Sequence, residues 1–329
     1  EPLLNFAGRG DFAQRCTQLS VLMVVVCLFM SSAHAEINMI DPGARSSYYG
    51  NFLMSYDAES QTYWAMIHVV NQIFGVTVRH RYRVYRMSQD WSDISLEFET
   101  MHSIYSMVAA PEGLLYEREI YFVYTSSDIY YYHTQSRENK RCVSYVLCGA
   151  MDNAPLYYRD IGLCSYDSTS KSETVIIKGD VIAQDNEQCI YQTEDGSTFA
   201  FLFQSGTSIP VVIPENISRI SNGYMLDEEN MMLYSPDNSV VSVPFIAGAK
   251  SISMKDGFLC ALDASSESVT LHYISLNHPE EVTSVTLPHV YDWNLNVQNG
   301  NAFFYTKPGR EILALDLSTN SFKTITLTE

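Results

Sequence analysis

The chain has 329 residues and a formal net charge of −18, from 20 Lys and Arg against 38 Asp and Glu. It is 46% hydrophobic and carries 23 Tyr, too apolar for a disordered chain and ordinary for a packed core. The acidity excludes non-specific nucleic-acid binding and docking on anionic lipid, both of which need Lys and Arg.

Residues 1–35 read as an address. Arg9 and Arg15 precede an apolar run from Leu19 to Met30, broken by Ser20, and Ala33-His34-Ala35 follows. A basic start, a short apolar run and an Ala-x-Ala site form a secretory signal peptide. The run falls short of the roughly 20 residues that a membrane span needs. Cleavage after Ala35 is expected, giving a mature domain over 36–329 that is secreted or held at the cell surface; an uncleaved anchor is the alternative. The mature part keeps Cys142, Cys148, Cys164, Cys189 and Cys260. An odd number of cysteines is no disulfide framework, and without a C-x-x-C pair there is no zinc or redox motif. They are expected to be small buried hydrophobes.

From Glu36 on, short runs rich in Tyr, Val, Ile, Phe and Thr alternate with turns of Asp, Asn, Gly, Ser and Pro. This spacing predicts an all-β fold. Residues 37–48 are expected to supply a strand that closes a ring. Val76 to Arg86 is a predicted strand with Arg79, Arg81 and Arg83 on one face. Ser95 to Glu99 faces it, with Glu97 and Glu99 sharing a side. Tyr130-Tyr131-Tyr132-His133 is an aromatic strand, expected in the core. A clear unit follows: Leu156–Asp160, Gly162–Asp167 and Glu173–Ile177, with tight polar turns between. The last unit repeats it: Ala302–Thr306, Glu311–Leu317 and Phe322–Leu327, led by Trp293–Val297.

Equivalent second strands fall near Tyr63, Tyr121, Tyr157, Tyr191, Tyr224, Leu259 and Phe304. Intervals of this size suit the four-stranded blades of a β-propeller. The count gives seven blades, with six as the alternative because the units at Tyr157 and Tyr224 are short. The long first interval predicts an elongated hairpin in blade 1.

Tyr157-Tyr158-Arg159-Asp160 resembles the Tyr-Trp-Thr-Asp signature of the β-propellers in low-density-lipoprotein receptors. Tyr305-Thr306 and Tyr124-Thr125 are weaker echoes. The resemblance implies a propeller and, by analogy, extracellular binding of a protein or ligand.

Catalytic signatures are missing from the sequence: no Gly-x-Ser-x-Gly, His-Glu-x-x-His, Walker or dinucleotide motif occurs. A propeller peptidase needs an α/β hydrolase domain as well, and seven blades leave no residues for one within 329. The histidines are scattered. Glu194-Asp195, Asp227-Glu228-Glu229 and Glu280-Glu281 fall in predicted turns. The Arg79, Arg81 and Arg83 ladder is the one candidate binding strip, suited to carboxylates or phosphates; cross-strand pairing with Glu97 and Glu99 is the structural alternative. The sequence therefore points to a non-catalytic interaction module for an extracellular protein, peptide or polysaccharide, with no cofactor or metal. The alternative is a glycan-active hydrolase or lyase, which needs carboxylates or histidines converging in a central pocket with shifted pKa values.

Overall fold

The computed structural model describes residues 52–73, 76–120, 126–159, 162–185, 187–214, 216–237, 239–264, 269–288, 295–307 and 311–327. The leader, the expected closing strand over 37–48 and Tyr124-Thr125 lie outside them.

Seven four-stranded antiparallel sheets follow one another along the chain, at 52–100, 104–143, 147–177, 180–210, 219–242, 251–287 and 296–326. Each is a simple meander, and their first strands approach one another around a common axis. The protein is a seven-bladed β-propeller. The one helical turn among the described residues is Pro244–Ile246. Six of the seven expected second-strand markers lie on second strands; Tyr121 lies outside the described residues.

The stacking follows from alternation. A blade strand buries side chains on both faces, against the blade before and the blade after. Thus Tyr63, Ala65 and Ile67 pack toward blade 7, while Trp64 and Met66 pack toward blade 2. Four of the cysteines are buried and Cys142 half-buried, and all five are free. Cys142 lies on Glu138–Val143 and Cys148 on Leu147–Met151.

Blade 7 is complete with four strands of its own, 296–326. Among the described residues the ring is closed by side chains. Phe52, Met54 and Tyr63 pack against Phe303, Tyr305 and Ile325. Gln298 Nε2 donates to the Met54 carbonyl (3.0 Å), and the Met54 N–H donates to Asn296 Oδ1 (3.2 Å). The seam between blades 4 and 5 is thinner. Its buried residues are Ala183, Ile190, Ala200, Ile220 and Met225. Blade 5 strands are only three or four residues long.

One turn recurs. Its first residue caps backbone N–H groups two or three positions on, and its fifth residue has positive φ. Asp57 and Gln61 (φ 53°), Asp167 and Lys171 (55°), Asp227 and Met231 (55°), and Asp316 and Asn320 (56°) share it. An Asp carboxylate does this well because it mimics a backbone acceptor. Much of the negative charge is therefore spent on turns. Serine and backbone donors hold the Asp90 and Asp237 carboxyls down to about 2, and similar donors lower Asp167, Asp227 and Asp316.

Candidate functional site

In a four-stranded meander the turns after strands 1 and 3 lie at the same end. That end of the ring carries the two polar features with chemical potential.

The first is the channel mouth. Lys255, at the first turn of blade 6, donates from Nζ to Gln298 Oε1 of blade 7 (3.0 Å). It also lies 4.0 Å from Glu187 Oε1 of blade 4. The Asn299 N–H donates to Asp256 Oδ2, and Asn299 Nδ2 donates to the Tyr63 hydroxyl (3.1 Å). Blades 4, 6, 7 and 1 thus meet through one polar network. Burial raises the pKa values of Asp185, Glu187 and Asp256, while the Lys255 charge opposes the rise in all three. Glu187 nevertheless touches solvent. These carboxyls stand near one another at the mouth, where burial disfavours their charged form.

The second feature is a groove of about 460 Å³ between blades 1 and 2, lined by Thr62, Trp64, Arg86, Pro111, Glu112 and His133 among others. His133 is the first residue of the recurring turn, and Arg137 is its positive-φ fifth. Its Nδ1 accepts the Ser136 N–H (3.2 Å), the task Asp performs elsewhere. That acceptance puts the neutral ring's proton on Nε2, which faces Glu112 Oε2 at 3.6 Å. Gly113 floors the groove because a Cβ there would stand 1.9 Å from the Tyr132 carbonyl oxygen.

Arg86 is held from behind. Its Nε lies 3.4 Å from Glu97 Oε1, and that carboxylate is only 3% exposed. Glu97 also accepts from the Tyr132 hydroxyl (2.8 Å) and Ser95 Oγ (2.8 Å).

The arginine strip lies apart, on Val76–Ser88. Arg81 Nη1 and Arg83 Nε both donate to Glu99, at 2.8 and 3.0 Å. The side chain of Arg79 is outside the described residues. Glu97 serves Arg86 rather than the strip.

Beside the strip the elongated hairpin joins two histidines that sequence spacing left apart. His68 Nε2 and His80 Nδ1 are 2.9 Å apart, and His68 stacks on Tyr82. Burial, aided by the His80 charge, lowers the His68 pKa to about 4. Tyr131 and Tyr132 are core residues, as expected. Glu194-Asp195 and Asp227-Glu228-Glu229 lie in or beside turns. Glu280 and Glu281 do not: they lie on the outer strand His278–Leu287, whose edge and outer face meet water and so tolerate charge.

No protein-family model matches the chain, and no curated protein does. Solved structures of similar fold do exist. A prolyl endopeptidase matches at TM-score 0.51 and 12% identity, over 93% of this chain and 55% of its own. An acylaminoacyl peptidase from Pyrococcus horikoshii matches at 0.49 and 8%, over 87% and 53%. The isopeptidase AtxE2 matches at 0.44 and 9%, over 84% and 51%. The chain spans about half the length of these proteins. This corrects the expectation of a non-catalytic interaction module. A similar ring occurs in a prolyl endopeptidase nearly twice as long, so the missing motifs and the lack of space within 329 residues are no argument against catalysis.

Proposed function

We propose that the chain is the propeller portion of a hydrolase that acts on peptides, with the charged end of the ring on the substrate's route. The carrying observation is the fold match to the prolyl endopeptidase, nearly complete for this chain and about half for its counterpart. The Lys255 network supports it, because a polar, water-entered mouth gives an extended substrate hydrogen-bond partners on several blades at once.

The test is peptide turnover by the protein purified from its own cells at whatever length it has there, beside the 329-residue chain alone. Turnover by the first and not the second supports a scaffold role. Turnover by neither overturns it.

One observation favours a second reading. Asp185, Glu187 and Asp256 are carboxyls at one mouth whose pKa values burial raises, which is part of what glycan chemistry needs. A protonated carboxyl there could act as general acid on a glycosidic oxygen. Glycan cleavage by the 329-residue chain, lost in Asp256→Asn with the fold intact, would favour that reading.

We also propose that residues 1–35 direct export, so that the ring meets extracytoplasmic peptides or polysaccharides. The basic start and the Ala33-His34-Ala35 site support this. The likeness of Tyr157-Tyr158-Arg159-Asp160 to Tyr-Trp-Thr-Asp stays within the scope of a proposal. Its fullest part lies on one blade, where the Tyr157 hydroxyl and Arg159 both serve Glu173.

A further inference from the structure

We infer that the groove between blades 1 and 2 is a binding site for a small zwitterion, an amino acid or short peptide with free α-ammonium and α-carboxylate groups. The inference stands apart from the hydrolase reading and needs no turnover by this chain.

The volume, about 460 Å³, falls within the range of small-ligand sites. The charges are sparse and opposite: Arg86 on the blade 1 side, Glu112 on the blade 2 side. Arg86 touches Glu97 through Nε, which leaves its two terminal amino groups as a fork for a carboxylate. The fork is pre-set, because the buried Glu97 that holds it is fixed in turn by Tyr132 and Ser95. An arginine aimed in this way loses little side-chain freedom on binding. Glu112 is 64% exposed on its side chain and faces His133, so it can turn to an ammonium. A simple anion would be repelled by Glu112, and a simple cation by Arg86. A molecule with both charges is met by both. Trp64 and Pro111 supply an apolar wall for its side chain.

His133 contributes to this balance of charge. The same turn uses Asp in other blades, and Asp here would add a second carboxylate beside Glu112. A histidine caps the turn equally well through Nδ1 and leaves the groove with balanced charge.

The test is calorimetric titration of the 329-residue chain with alanine, phenylalanine, trialanine, N-acetyl-trialanine and trialanine amide. Free-ended ligands should bind, and blocking either end should weaken binding about tenfold or more, as for loss of a hydrogen bond to a charged group. Arg86→Lys and Arg86→Gln should weaken trialanine similarly and abolish the penalty for amidation alone. Glu112→Gln should abolish the penalty for acetylation alone. Arg86→Lys keeps a cation beside Glu97, which guards against misfolding, and Glu112 is exposed enough to be replaced safely. Preference for alanine or phenylalanine over trialanine would support the site and set its ligand length. Equal binding of blocked and free ligands, penalties untouched by the variants, or no heat up to about 10 mM would each overturn the inference.

Discussion

Phe303→Ala tests how the ring closes. Phe303 is fully buried on blade 7 and stands edge-on to two blade 1 rings, Tyr63 at 5.4 Å and Trp91 at 6.1 Å. Its side chain removes roughly 150–250 Å² from water. At about 25 cal/mol per Å² that is about 4–6 kcal/mol, an upper figure because unfolded chains are partly collapsed. Measured Phe→Ala losses run about 3–5 kcal/mol. The expected loss is therefore about 4 kcal/mol, a large share of a total near 5–15 kcal/mol. Urea unfolding followed by far-ultraviolet circular dichroism would read it, with Phe322→Ala as control, since Phe322 is exposed on the outer strand of the same blade. Trp91 fluorescence should shift to the red in Phe303→Ala as the seam loosens. A loss below about 1 kcal/mol, or one matched by Phe322→Ala, would mean that this seam is not what closes the ring.

Three further outcomes are expected. His68→Phe should flatten the acid response of stability: the folded ring takes a proton on His68 only near pH 4, but the unfolded chain takes it near 6.5. Wild-type stability contributed through this residue is lost as pH falls across that window, and melting temperatures at stepped pH would show it. Lys255→Met should raise the pKa values of Asp185, Glu187 and Asp256 further, because Lys255 lowers all three; carbon-detected carboxyl titrations would register no change if its field were not felt. Folded-state carboxyls raised in this way favour the fold when protonated, so this contribution fades as pH rises through their folded values. Gly113→Ala should cost about 3 kcal/mol, since its Cβ would meet backbone that cannot step aside; a loss under about 0.5 kcal/mol in thermal or urea melts would refute that.

The ring was largely legible in the sequence and the site largely was not. Strands betray themselves locally, through alternation and turn residues, so the second strands at Tyr157, Tyr191 and Phe304 could be marked one by one. The long first interval likewise anticipated the hairpin of 12- and 13-residue strands. The mouth and groove draw on different blades. Lys255 meets Gln298 across 43 positions, and the groove joins Thr62 and Arg86 to Glu112 and His133. No local pattern encodes such meetings. The His68–His80 contact was within reach, because folding Thr62–Ile73 back on Val76–Ser88 brings the two histidines close. So was the odd role of His133, which stands where the turn otherwise takes Asp.

That turn also bears on how such a ring can change over time. Its shape depends on one capping side chain and one left-handed residue, Asp167 and Lys171 or Asp316 and Asn320, and hardly on the strands it joins. Strand residues need only be β-forming and alternately fit for two neighbours. Blades held by such punctuation are free to drift apart in wording while keeping the same grammar. A substitution in a strand is then a local repair problem for two adjacent blades. Loss of a turn's first or fifth residue instead removes a stop that sets where the next strand begins.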